Sequence, residues 1–204
     1  MKLYFENTID ENRSTNVKRA LFGDATGKIK TFAILTAENP GRMEYSAEEN
    51  NKRTDRLKQM FKQANVQYTP IQGFYDRKEH SFICFNVTLG EAKRFCYLNQ
   101  DAPTEEWQES FFFGTVNKDG SEISYYRLNG KNYDLVETSD RIDNANDFDN
   151  YFSRFHNFKF SIWMKVFNED LFEVYDYDEL ERSVEDGGNG IDRIYHRNKA
   201  YKKG

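Results

Sequence analysis

Two short runs constrain this chain more than any other feature of it. Thr31–Thr36 (TFAILT) and Ser81–Val87 (SFICFNV) are apolar on both faces and carry β-branched and aromatic members. A strand reads this way when both its sides are buried, so each run belongs inside a sheet whose two faces are covered. A helix start follows each of them. Ser46-Ala47-Glu48-Glu49 and Thr88-Leu89-Gly90-Glu91 have the form in which a hydroxyl accepts the N3 amide while the glutamate reaches back. The first helix, Ser46–Asn65, then carries Leu57, Met60, Phe61 and Ala64 at i, i+3, i+4 and i+7, a core-facing stripe. The second, Thr88–Leu98, turns Leu89, Ala92, Phe95 and Cys96 inward.

The remaining elements set the order. Gln67–Tyr75 reads as a strand, and Pro70, which cannot donate to a ladder, places it at a sheet edge. Glu109–Val116 reads as the next strand, followed by a meander through Glu122–Leu128 and, after Asn129-Gly130, Tyr133–Val136. The succession predicts an α+β fold: a ferredoxin-like split βαββαβ core over residues 28–116, with strand order 4-1-3-2 and both helices on one face. The meander and an additional strand extend that sheet over residues 117–165, and an acidic helical segment with a basic tail makes up 166–204. Two helices cover one face only. Phe158–Met164 and a helix around Asp178–Val184 are therefore expected to cover the second, within a single domain spanning 1–204. A short helix is also expected at Asn16–Phe22, and a loop at Asp140–Asn150.

Composition excludes several classes. With 16% aromatics among 38% hydrophobic residues, the rings must form the core. A net charge of -5 offers no basic footprint for tight nonspecific nucleic-acid binding. Cys84 and Cys96 fall inside a strand and a helix pattern and read as buried thiols in a reducing compartment. The opening residues have no apolar leader-like core, and no run approaches the roughly 18 apolar residues of a membrane span. The expected setting is the cytoplasm of a bacterium or of a phage-infected cell. Gly23-Asp24-Ala25-Thr26-Gly27-Lys28 departs from phosphate-loop spacing and runs into a strand, so it is not one. No metal site and no cofactor is implied, and nothing assigns a catalytic reaction. The histidines His80, His156 and His196 lie far apart, and contiguous Glu79-His80-Ser81 alternates across a strand.

The candidate site lies at the start of the first helix. Extended backwards, its apolar stripe passes through Arg53 or Thr54 and then Asn50, which are polar. They should face Glu38 and Asn39, since the first strand ends just before this helix begins. Polar residues on a core stripe need partners, and this corner of α/β layers is where free helix amides meet ligands. Glu38, Asn39, Glu49, Asn50 and Arg53 are thus the ligand-binding candidates, with an anionic small molecule or nucleotide as ligand. Ordinary helix capping is the competing explanation.

Phe32-Ala33-Ile34-Leu35-Thr36-Ala37-Glu38-Asn39-Pro40, the helix start Glu49-Asn50-Asn51-Lys52-Arg53, and Gly73 with Ser81-Phe82 carry a resemblance. Over roughly residues 28–116 the chain resembles an uncharacterised bacterial domain family with a strand ending T-A-x-N-P and an E-N-x-x-R helix start. That family also shows a Q-x-x-x-x-x-G fourth strand, matched here by Gln108 to Gly114 or, across the polar stretch, by Gln100. The resemblance implies a grouping and no mechanism.

Three functional readings follow. One is a small-ligand or nucleotide-binding domain that uses the polar corner. A second is a protein-interaction module, such as a phage-borne inhibitor or regulator, acting through its C-terminal segment. There Trp163, Phe167, Phe172, Tyr175 and Tyr177 accompany nine acidic residues between Asn168 and Asp186. The third is RNA binding through the sheet, since Lys78–Phe85 partly fits an aromatic RNA-binding strand that lacks its glycine.

Overall fold

Inside the sheet, the two doubly apolar runs lie side by side. In the computed structural model Thr31–Thr36 (β1) pairs antiparallel with Arg77–Phe85 (β3), matching Ile34 to Ile83 and Thr36 to Ser81. Residues 13–40, 44–75, 77–98, 107–144, 151–155, 158–162 and 164 are described. The chain divides into two units, Met1–Trp163 and Met164–Gly204, and every element below belongs to the first.

The architecture is not the ferredoxin-like core expected from the element order. Among the described residues nine strands form one antiparallel sheet, curled into a half-barrel, with three helices. Besides β1 and β3 these are Gln67–Tyr75 (β2), Ser110–Val116 (β4), Ser121–Asn129 (β5), Asn132–Ser139 (β6), Ile142–Asn144 (β7), Tyr151–Phe155 (β8) and Phe158–Ile162 (β9). Their order is β6-β5-β4-β1-β3-β2-β8-β9-β7. Two expectations fall with the correction. β2 is not an edge strand, because β8 pairs with it over Gln72–Tyr75. Phe158–Ile162 does not cover the second face but extends the sheet, and a strand stands at Ile142–Asn144 within the expected loop. An alternating apolar segment shows that one of its faces is buried. It does not show whether that face lies in the sheet or on it. The expected helix at Asp178–Val184 lies outside the described residues.

Helices Ala47–Gln63 (α2) and Leu89–Cys96 (α3) lie on one face. Ser46 caps α2 by accepting from the Glu49 amide, and Thr88 with Glu91 forms the full reciprocal box on α3. Leu57 and Phe61 of α2 and Ala92, Phe95 and Cys96 of α3 join Ala33, Leu35, Phe82, Cys84 and Phe111 in one core cluster. Phe61 is fully buried, with ring centroids 5.1 Å from Phe95, 5.7 Å from Phe82 and 4.9 Å from Tyr68. Both cysteines are buried free thiols within this core.

The second face is set by register. Phe32, Ile34, Ile83, Phe85, Phe112, Ile123 and Tyr125 alternate with the first set and are buried as well. Residues 13–22 form a helix, α1, whose Val17, Ala20 and Leu21 are buried. The Ser121 hydroxyl of β5 donates to the Ala20 carbonyl at 2.7 Å, and Phe22 meets Phe158 of β9 edge-on at 5.8 Å. β5 and β9 are second from opposite ends of the sheet. Six strand spacings would separate them by about 29 Å if the sheet were flat. Residues two apart on one helix reach both, so the sheet curls around α1.

Candidate functional site

β1 ends in a turn that the sheet and α2 build together. The Thr36 hydroxyl donates to the His80 carbonyl at 2.9 Å and accepts the Glu38 amide at 3.1 Å. Asn39 takes a left-handed φ of 48°, which asparagine tolerates better than most residues. Its amide donates to Asn50 Oδ1 at 3.1 Å, and Asn50 Nδ2 donates back to Asn39 Oδ1 at 2.9 Å. Tyr45 closes the loop by donating its amide to Asn39 Oδ1 at 3.2 Å. One turn along α2, Arg53 Nε donates to the Ala37 carbonyl at 3.0 Å, and the guanidinium lies 5.4 Å from the Tyr45 ring. Arg53 is only 6% exposed.

The polar first turns of α2 therefore do face the end of β1. Asn39, Asn50 and Arg53 are brought together with the backbone of Ala37 and Tyr45. Much of their capacity is spent on fixing the turn. Glu49 stands apart: its amide joins the Ser46 cap, and its carboxylate makes no hydrogen bond among the described residues. Thr54, next to Arg53, is 7% exposed, and its buried hydroxyl has no partner.

Glu38 points the other way, across to β3. Its Oε2 accepts the His80 amide at 2.9 Å and its Oε1 lies 2.6 Å from His80 Nδ1. The carboxylate is nearly buried at 8% exposure, whereas the imidazole is 67% exposed. An ionised carboxylate only accepts, so the Nδ1 proton belongs in this bond and Nε2 is left facing outward as an acceptor. The arrangement fixes the orientation of a largely exposed ring. The pairing of His80 with Glu38 was invisible to sequence reasoning, because the two lie 42 positions apart in the chain. The strand register Thr36 to Ser81 carries the signal, and only the paired sheet reveals it.

Gln108 closes the underside of the turn. Its Oε1 accepts the Thr36 amide at 3.2 Å and its Nε2 donates to the Ser110 carbonyl. The buried Tyr133 hydroxyl donates to the Gln108 carbonyl, and burial holds that phenol well above its usual pKa. Gln100 lies outside the described residues.

Residues 35–102 match the sequence model of a family described as Protein of unknown function (DUF3293). The chain is thus similar to an uncharacterised domain family over about a third of its length. The matched segment runs from the end of β1 through α2, β2, β3 and α3. It contains Glu38, Asn39, Asn50, Arg53 and His80 and stops before Gln108. No curated protein matches the chain.

Phe82 and Phe85 are 2% and 5% exposed, so neither ring is presented for base stacking. Among the described residues no three His, Cys, Asp or Glu side chains cluster as a metal site requires, and no helix is long and apolar enough to cross a membrane. The aromatic and acidic C-terminal segment lies outside the described residues.

Proposed function

We propose that the chain is a small-ligand-binding domain whose site is the polar corner after β1, with His80 as the exposed contact. The observation that carries this reading is the Glu38–His80 pair. A nearly buried carboxylate holds both the amide and the ring of an otherwise solvent-facing histidine, 2.9 and 2.6 Å away. Surface histidines need no such anchoring for stability. Orienting one is what a site that recognises a polar or anionic group requires. Arg53, one residue from Glu38 through its bond to Ala37, adds a guanidinium suited to carboxylate or phosphate. Asn39 and Asn50 fix the turn that holds both.

The ligand is a small anion or polar metabolite, and no reaction is assigned to the site. The alternative, an interaction module such as a phage-borne inhibitor, rests on the C-terminal segment outside the described residues. A thermal-shift panel of carboxylates and phosphorylated metabolites tests the proposal on wild type and His80→Ala. Because the ring is exposed, the variant is expected to unfold at the wild-type temperature without ligand. It should lose the ligand-induced rise that wild type shows, which grows with the logarithm of ligand concentration above Kd. A panel without any stabilising compound, or stabilisation that survives in His80→Ala, sinks the reading.

A further inference from the structure

The sheet has a gap on the far side of β3 from the corner. β2 pairs with β3 along its whole length, Gln67–Tyr75, but β8 reaches only Gln72–Tyr75 on its other side. Among the described residues the first half of β2 thus has one bare edge. A cavity of about 580 Å³ opens along it, lined by Gln67–Pro70 of the strand itself. Lys58 and Val66 border it from the α2 side, and Arg13 and Asn16 border it from α1. The volume falls in the range of small-molecule sites, roughly 300–1,000 Å³.

Pro70 shows which backbone groups face this cavity. In an antiparallel ladder a residue turns its N–H and C=O to the same neighbour. Proline has no N–H, so Pro70 stands on the outward side, and Tyr68 and Gln72 share that side. The bare edge therefore offers one donor and two acceptors: the N–H and C=O of Tyr68 and the C=O of Pro70. An added peptide strand needs a donor at every second residue, and Pro70 removes it. A ring-sized donor–acceptor edge does not.

One more feature points to a ligand, and Thr69, 1% exposed, lines the cavity with its hydroxyl-bearing side chain. Among the described residues the lining carries the cation Lys58 and no carboxylate, in a chain of net charge -5. Lys58 meets Asp55 at 3.2 Å, but both side chains are well exposed, at 43% and 69%, and such a pair yields readily to a better anion.

We infer that this gap binds a mononucleotide. The amide or amidine edge of its flat ring pairs with Tyr68, and a second ring donor reaches the Pro70 carbonyl. Thr69 supplies a further hydrogen bond, and the phosphate meets Lys58 at the rim. The site is separate from the corner, which uses the first turns of α2 and the opposite end of the paired β2–β3 segment.

Amide-resolved NMR titration tests it, with the four common ribonucleoside 5′-monophosphates, their nucleosides and inorganic phosphate as probes. At least one monophosphate should shift the Tyr68 and Thr69 amides and bind about tenfold tighter than both its nucleoside and phosphate. Lys58→Glu should weaken it about tenfold, and Thr69→Val several-fold. His80→Gln should leave it unchanged, so failure of the corner proposal does not touch this one. The inference is overturned if no monophosphate at millimolar concentration shifts residues 67–70, or if phosphate alone binds equally well. Binding that survives Lys58→Glu, or that is lost in His80→Gln, overturns it too.

Discussion

Asp24 accepts three hydrogen bonds from the loop between α1 and β1. Its Oδ1 takes the Thr26 hydroxyl at 2.6 Å and the Thr26 amide at 3.0 Å, and its Oδ2 takes the Ile29 amide at 2.8 Å. Its own amide donates to the Asn117 carbonyl, so one residue ties this loop to the turn between β4 and β5. Gly23 beside it has φ +102°, and a Cβ there would meet the Gly120 amide nitrogen at 2.5 Å. The Thr26 hydroxyl, with the Ile29, Thr26 and Lys28 amides behind it, lowers the Asp24 pKa to about 2 from 3.8, against an opposing contribution from burial. A carboxylate depressed on folding contributes stability above its unfolded pKa and loses it as pH falls through the folded one. That window runs from about pH 4 down to about pH 2. Asp24→Asn should be less stable than wild type at neutral pH, and the difference should shrink across the window in urea titrations at stepped pH. A difference that stays constant from pH 7 to pH 2 would mean the carboxylate is not what holds the loop. In the sequence, Gly23–Lys28 was legible as something other than a phosphate loop. The role of Asp24 was not, because its partner Asn117 lies far along the chain. Glu38 is the same case. Its neighbours Asn39 and Asn50 could be placed at the corner from local order alone, whereas its bond to His80 needs the register of β1 on β3.

Elements were more legible than contacts, where one signal dominates. The capping residues and the stripe of α2 place that helix on the sheet, and Leu57 and Phe61 are 1% and 0% exposed. The stripe does not run to the end: Ala64 is the exposed C-cap, and the buried face continues backwards through Thr54 and Arg53. Phe61→Ala should cost about 3–5 kcal/mol in chemical denaturation, since it empties the centre of four packed rings. A loss below about 1 kcal/mol would show that the helix does not anchor there. β4 carries a tighter constraint. A Cβ on Gly114 would sit 2.1 Å from the ring of Phe32, which is fully buried on the paired strand. Gly114→Ala is therefore expected to destabilise by about 1–3 kcal/mol, and Gly114→Ala with Phe32→Leu to recover part of that loss. Identical stabilities for the single and double variants would remove the steric account. β2 shows where element reading stopped. Pro70 was informative about its own backbone, and among the described residues the outward side of β2 at Pro70 is bare, yet two residues further on the same strand acquires β8. An edge residue is not an edge strand.

At the scale of the molecule, the question the sequence posed was what covers the second face of the doubly apolar strands. Apolar periodicity placed the demand correctly, since Phe32, Ile34 and Ile83 are all within 5% of full burial. It assigned part of the cover to Phe158–Met164, where Phe158–Ile162 is a strand of the sheet, and the rest to a helix around Asp178–Val184 that lies outside the described residues. Two facts of the fold were missing: Phe158–Ile162 bonds to the outside of β8, and the sheet curls far enough for one short helix to fill its concave side. The element order alone, βαββαβ, is shared by a flat four-stranded core and by the middle of this longer sheet. The covering role of α1 makes a prediction that separates the two architectures. Leu21 is 1% exposed and Phe22, its neighbour, is 41% exposed. If α1 fills the curl, Leu21→Ala should cost about 2–5 kcal/mol in guanidinium denaturation. Phe22→Ala, which trims only the edge contact with Phe158, should cost clearly less despite removing the larger side chain. Leu21→Asp should expose the second face altogether, with hydrophobic-dye binding and loss of a cooperative transition. Were Leu21→Ala neutral, or Phe22→Ala the costlier change, α1 would not be seated against β1, β3 and β4, and some other segment would have to bury Phe32 and Ile34.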